Sequence, residues 1–395
     1  MRAIIFLFLL LLAQAINAQV EKRNYQRPPE EGKKHLDELL ALYPDSEKWQ
    51  ARKEILKNCI LEELGLCNLN LPPDLAAIGG YKRIYGDYSV ENTAIEVIEG
   101  VWLSTCIYKP YPLSGKLPVV LCPHGHFSDK DTNLYGRYRP DMQYRCAMLA
   151  KMGAVAISYD MFDWGESRLQ FGGKLHKTDV ALPVQSLYAR RLIDYFSSLK
   201  YVDNKRIAIT GASGGGTQSF LAAALDERVS LCVPVVMVSS YFDGGCACES
   251  GLPIHMCTSH QTNNAEIAAM IAPRPLLVIS DGDDWTKNNP EIEVPYLKKV
   301  YTLTGAPENF ENVHLANEKH DYGYSKRIAM YDFVSENFKL ENKELRAANG
   351  KYDESGVVIE PYTKMLVFKT IESYPGKILT TYGEVKRTLE DLRKK

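Results

Sequence analysis

Apolar residues recur along this chain with three distinct periods. From Gly32 to Leu66 they return at intervals of three and four, with Leu36, Leu39 and Leu40 followed by Ile55, Leu56 and Ile60, the spacing of one buried helix face. Pro72 and Pro73 in LPPDL break that pattern. Over residues 81–108 it gives way to alternation, as in IEVIEGVWLSTCIYK, which predicts strands with one face in a core. Short, nearly continuous apolar runs follow: LPVVLCPHG, AVAISYDMFDWG, RIAITGASGG, VSLCVPVVMVS and RPLLVISDGDD. Runs of that kind read as strands buried on both faces of a parallel sheet. Helix-length stretches such as VQSLYARRLIDYFSSL and SFLAAALDE lie between them. The alternation predicts an α/β fold: a mostly parallel, doubly wound sheet with helices on both faces, an N-terminal helical segment before it and a C-terminal extension after it.

The first residues have a different texture. Arg2, the apolar run AIIFLFLLLLA and the small residues of AQAINA read as a secretory signal peptide over 1–18, cleaved after Ala15 or Ala18. The run is short for a bilayer span. The first cysteine is Cys59, so no lipid anchor is expected at the junction. The organisation that follows is a signal peptide over 1–18, a helical segment over 19–79, an α/β domain over 80–340 and an extension over 341–395. Within the extension, LENKELRAANGKYDESG reads as a charged linker and YGEVKRTLEDLRKK as a last helix. The product is expected to be exported, to the periplasm or beyond, without a membrane anchor.

Composition narrows the possibilities. A hydrophobic fraction of 45% with 10% aromatics supplies a full core and excludes wholesale disorder. A net charge of -2 with no long run of one sign speaks against nucleic acid as a partner. Nine cysteines in an exported chain leave at least one unpaired. Cys122 and Cys232 sit inside apolar runs and read as buried thiols. Disulfide pairing and oligomeric state stay open at this level.

Polar residues crowd the ends of the predicted strands: His124, Asp163, Ser213, Asp281 to Asp284 and His320. Ligands of open parallel sheets bind beyond the carboxyl ends of the strands. Gly211-Ala212-Ser213-Gly214-Gly215 fits G-x-S-x-G, with the strand RIAIT before it and the helix TQSFLAAAL after it, the setting of a nucleophile elbow. No Lys-Ser/Thr pair follows the glycines, which excludes a phosphate-binding P-loop. A serine needs a base within hydrogen-bond reach. In the chain order Ser, acid, His, the base falls to His320 in a polar turn, rather than to His314 in the apolar segment NVHLA. The acid comes from the turn after PLLVIS, where Asp281, Asp283 and Asp284 compete, or from Asp243 or Glu249 after the preceding strand. The N–H groups of Gly214 and His126 are expected to hold an oxyanion, and His124 and Glu249 to contact substrate.

PHGH, SYDMFDWGESR, RIAITGASGGGTQSFLAAALDERV, GGCACESG, DDWT and KHDYGYSKR occur in this order. Together they resemble the acetyl xylan esterase-like branch of the α/β-hydrolases, related to the cephalosporin-C deacetylase and dienelactone hydrolase groups. The likeness covers roughly residues 80–340. It implies a serine esterase with the triad Ser213, Asp284 and His320, the Asp-Trp-Thr turn favouring Asp284 over its neighbours. It also implies a small-molecule or polysaccharide ester as substrate, such as acetylated xylan, and no cofactor. The glucuronoyl esterases are related but carry Arg and Lys around the serine, where this chain has Ala212 and glycines. A prolyl oligopeptidase-type peptidase would need a propeller for which the N-terminal segment is too short. A non-catalytic glycan-binding fold would have little need of all three triad residues. CACESGLPIHMCTSH gathers Cys246, Cys248, His255, Cys257 and His260, side chains that bind zinc. C-x-C is tighter than the usual ligand spacing, so the segment is read as a cap loop and no metal is expected.

Overall fold

The computed structural model describes residues 26–129, 134–249, 252–341 and 343–394. The signal peptide expected at 1–18 lies outside the described residues. Nine strands form one sheet: β1 (Ala77–Tyr85), β2 (Tyr88–Ile98), β3 (Val101–Pro110), β4 (Leu117–Pro123), β5 (Val155–Tyr159), β6 (Val202–Ala212), β7 (Leu231–Val235), β8 (Leu276–Asp281) and β9 (Phe310–Leu315). Their order is β1-β2-β3-β5-β4-β6-β7-β8-β9. The first three strands are antiparallel and β3 also meets β5 antiparallel, while every pairing from β5 to β9 is parallel. The five continuous apolar runs of the sequence are β4 to β8. β4, β5, β7 and β8 are buried along nearly their whole length, and β6 from Ile207 onward, because helices cover both faces.

Helices α3 (Pro140–Lys151), α4 (Ala181–Ser197), α5 (Gly214–Leu225), α6 (Glu293–Leu303) and α7 (Tyr324–Phe338) supply that cover. Two large apolar clusters result. One joins the N-terminal helices, α4, α5 and α6 to the sheet; the other lies beneath α3 and α7.

The continuous helical pattern of the N-terminal segment resolves into two helices, α1 (Pro29–Leu42) and α2 (Ser46–Glu63). Pro44 removes a backbone donor at the break, and the Asp45 side chain caps α2 by accepting from Lys48 N–H at 2.8 Å. The segment is anchored deep in the fold. The Arg52 guanidinium donates two bonds to the buried Glu266 carboxylate, each at 2.9 Å, and Cys59 is disulfide-bonded to Cys257.

The stretch expected to be a linker is instead a strap. Tyr352 is buried, and Glu354 accepts from Arg327 Nε at 2.8 Å and from Tyr331 at 2.8 Å. Farther on, Glu360 pairs with Arg83 on β1 at 2.5 Å, and Met365 O accepts from the fully buried Arg137 at 2.6 Å. Phe368 stacks on Tyr374 with 3.8 Å between ring centroids and meets Trp102 of β3 edge-on. A charged composition misled the reading because Arg346 and Glu354 pair with Asp332 and Arg327 of the domain, while sparse apolar residues pack against it. The final helix, α8 (Tyr382–Lys394), is where the sequence placed it, with Val385 and Leu389 buried. Among the described residues no helix is long and apolar enough to cross a membrane.

Candidate active site

Strand β6 hands directly to α5 through Ser213, whose backbone sits at φ 55° and ψ −124°. A non-glycine residue at positive φ is strained, and the strain is held by close packing on every side. A Cβ on Gly215 would stand 2.6 Å from Pro123 O, and one on Gly125 would stand 2.5 Å from Ala212 O and 2.9 Å from Ser213 Cβ. Glycine is therefore required on both sides of the elbow. Ser213 N–H donates to Val235 O at 3.1 Å, and Gly214 begins α5, where the first N–H groups have no carbonyl one turn back.

The turn after β8 separates its three aspartates. Asp281 is fully buried and faces Lys326 at 3.0 Å. Asp283 is exposed. Asp284 turns its 3%-exposed carboxylate inward, and its Oδ2 meets His320 Nδ1 at 2.5 Å. The other oxygen is fixed by Thr286, which donates from both N and Oγ1 at 2.6 Å. Trp285, between them, stacks on Phe242 with centroids 3.8 Å apart and packs on the His320 ring at 4.8 Å. The two other candidate acids are engaged elsewhere: Asp243 lies 3.5 Å from Arg27 and from His255, and Glu249 accepts from His126. His314 lies in β9 and bonds Ser280 Oγ at 2.9 Å.

A cavity of about 600 Å³ opens over the carboxyl ends of the strands. Ser213, Trp164, Trp285, Phe242, His126 and Glu249 are among the residues that line it. Ser213 and Trp285 thus face one space, with the His320 ring packed against Trp285 and against Phe127 at 5.4 Å. Its lining combines the aromatic side chains of Trp164, Trp285 and Phe242 with polar ones, Lys177 among them.

His124 corrects an expectation. It is 3% exposed and does not reach the cavity. Its Nε2 accepts from Met161 N–H at 3.0 Å, which leaves Nδ1–H for Gly125 O at 2.8 Å. Burial pushes its pKa down to about 3, so the ring is a neutral brace between the loops after β4 and β5. Asp163 and Glu166 are anchors for the loop after β5. Asp163 accepts from Gly173 and Leu175 N–H at 2.7 and 2.5 Å, and Glu166 accepts from Val367 N–H and the Arg137 guanidinium.

The Cys/His segment is also rearranged. Cys257 is in the disulfide, and His255 bonds Asn264 Oδ1 at 2.9 Å. Cys246 and Cys248 turn instead toward His126 and His176. His176 was missed by sequence reasoning, as were Phe242 and the disulfide; nothing near His176 in the chain marks it.

A nine-stranded, mostly parallel sheet with a strained serine at a strand-to-helix elbow and an Asp–His pair at its carboxyl edge defines an α/β-hydrolase. Residues 185–244 match the acetyl xylan esterase (AXE1) family. The solved structure of methylesterase BT1017 is 39% identical, covers 94% of this chain and 82% of its own, and superposes with a TM-score of 0.83. A glucuronoyl esterase from Solibacter usitatus shares the fold at 16% identity, with a TM-score of 0.55 over 74% of this chain and 93% of that one. A Bacillus subtilis (strain 168) protein named as a hydrolase, YtaP, is 25% identical over 233 residues, 53% of this chain and 75% of the relative. The chain is a carboxylic ester hydrolase. It belongs to the family of methylesterase BT1017, within the acetyl xylan esterase-like α/β-hydrolases.

Proposed function

We propose that this enzyme is a serine esterase that cleaves methyl esters of sugar acids, with Ser213 as nucleophile, His320 as general base and acid, and Asp284 as the carboxylate that orients His320. The observation behind it is the strained Ser213 on the wall of an aromatic cavity, with the Asp284–His320 pair packed on Trp285 of the same cavity. Asp284 holds the proton of His320 on Nδ1, which leaves Nε2 to take the Ser213 proton as Oγ attacks the ester carbonyl. The N–H groups of Gly214 and His126 receive the oxyanion, a contribution of about 10²–10³ in rate per donor in comparable sites. The tetrahedral intermediate collapses, His320 protonates the departing methoxide to give methanol, and the sugar acid remains as an acyl group on Ser213. Water, deprotonated by His320, then releases the acid and restores the enzyme.

The methyl ester reading draws on the fuller likeness, since the methylesterase spans 94% of this chain. It places the sugar on the acyl side, where a cavity of about 600 Å³ walled by Trp164, Trp285 and Phe242 has room for a ring. The acetyl ester expected from sequence is the second reading, supported by the match of residues 185–244 to the acetyl xylan esterase family. The experiment is incubation with a methyl-esterified polyuronate and with acetylated xylan, scoring methanol and acetate, with Ser213→Ala alongside. Methanol from the first, abolished by the substitution, supports the proposal. Acetate alone would transfer it to the second reading, and neither product from folded enzyme would overturn both. We further infer export: the leader-like first 18 residues and the Cys59–Cys257 bond both suit an oxidising compartment. Mass measurement of the mature chain tests the cleavage.

A further inference from the structure

We propose that His126, His176, Cys246 and Cys248 bind one zinc ion in the wall of the cavity. The four donor atoms lie within 4.8 Å of one another although they come from three separate loops, after β4, β5 and β7. His126 Nε2 and His176 Nε2 are 2.7 Å apart, and Cys248 Sγ is 3.1 Å from each.

Their outer bonds determine what these atoms present. His126 Nδ1 faces the Glu249 carboxylate at 2.8 Å, and His176 Nδ1 faces Phe162 O at 2.6 Å. A carboxylate and a carbonyl only accept, so both Nδ1 atoms carry the hydrogen, and in the neutral rings that a metal selects both Nε2 atoms present lone pairs. Two lone pairs thus point at each other across 2.7 Å with two sulfurs beside them. A cation at the centre turns this repulsion into four bonds. Two imidazoles and two thiolates in a tetrahedral set are the donors of a zinc site. With Zn–N bonds of about 2.05 Å, the Nε2 atoms stand about 3.3 Å apart, which a slight rotation of the rings provides.

The surroundings fit as well. Glu249 is held in turn by Gly245 N–H at 3.1 Å, giving a carboxylate–histidine–metal relay. Cys248 is fully buried and His176 nearly so, which limits water at the centre. The tight C-x-C spacing, which argued against a metal, is no obstacle when the other two ligands arrive from other loops. Four protein ligands close the coordination sphere, so the ion is structural. It fastens the Cys246–Glu249 turn to the loop bearing His126. On the reading given above, it thereby positions the His126 N–H for the oxyanion.

The test is metal content of the full-length enzyme, purified without chelator or histidine tag. About one zinc per chain is expected, with Cys67→Ser keeping it and Cys246→Ser/Cys248→Ser falling at least tenfold. Cobalt in its place should give the visible absorption of a tetrahedral thiolate site. Should the double variant not fold, His176→Gln with zinc measured by competition serves instead. Wild-type enzyme without zinc, both as purified and after equilibration with equimolar zinc, would overturn the proposal. So would a folded double variant that keeps its zinc. Hydrolysis of p-nitrophenyl acetate in the same samples separates the two readings. Active enzyme lacking zinc sinks only the metal, and inactive zinc-loaded enzyme sinks only the esterase.

Discussion

Asp284→Asn replaces one oxygen by an NH₂ of the same size, and the structure fixes which one. Thr286 directs two donors, N–H and Oγ1–H, at Oδ1 from 2.6 Å. The asparagine carbonyl must occupy that place, because an NH₂ there would meet two donors. The NH₂ is then turned to His320 Nδ1, 2.5 Å away in the native enzyme. Facing a donor, Nδ1 keeps its lone pair and the ring proton moves to Nε2, where it blocks acceptance of the Ser213 proton. Comparable wrong-tautomer substitutions lower kcat by about 10⁴, or about 5.4 kcal/mol at 1.36 kcal/mol per decade. The assay is steady-state hydrolysis of p-nitrophenyl acetate near pH 7, with circular dichroism to establish folding. Asp283→Asn, an exposed neighbour, should stay within about twofold of wild type. A folded Asp284→Asn enzyme with more than about a tenth of wild-type kcat would refute the assignment, since that loss is under 1.4 kcal/mol.

Three further outcomes are expected. Glu293 is buried against Ser240 N–H and Oγ, and desolvation pushes its pKa up to about 7. The native state then holds a proton that the unfolded chain releases, so stability falls as pH rises from about 4.5 to about 7. Glu293→Gln should gain up to about 3 kcal/mol at about pH 8 and nothing at about pH 4 in urea titrations. Opening the Cys59–Cys257 bond, which closes a separation of 198 residues, should lower stability by about 2–5 kcal/mol, read from melting with and without reductant. Phe368→Ala removes a 2%-exposed ring between Trp102 and Tyr374 and should cost about 3–5 kcal/mol in urea unfolding. An unchanged midpoint would mean that the strap is not part of the cooperative unit.

What was legible in the sequence was what is local in the chain. β4 to β8 announce themselves because a strand covered on both faces reads as a nearly continuous apolar run, and the Ser213 elbow because its glycines are contiguous. The three aspartates after β8 could not be ranked from spacing alone. Their difference is one of direction, Asp281 toward Lys326 and Asp284 toward His320. His124 and His126, two residues apart on one loop, take opposite fates for the same reason. The ring of one is locked under Met161 N–H, while the other lines the cavity. His176 meets Cys248 only because β5 and β7 end at the same edge of the sheet, a relation with no trace in the chain order.

That shared edge also divides the labour of the site. Ser213, Asp284 and His320 hang from β6, β8 and β9, whose registers are fixed by parallel pairing through the core. The facing wall hangs on the loops after β4, β5 and β7, which have no such ladder and are joined by side-chain contacts among His126, His176, Cys248 and Glu249. On the proposed mechanism, the placement of nucleophile, base and acid is therefore borne by the sheet. Shape and polarity of the cavity rest on the loop cluster, which on the proposed mechanism also carries one oxyanion donor, the N–H of His126. Loops free of the ladder are where one fold acquires different substrates.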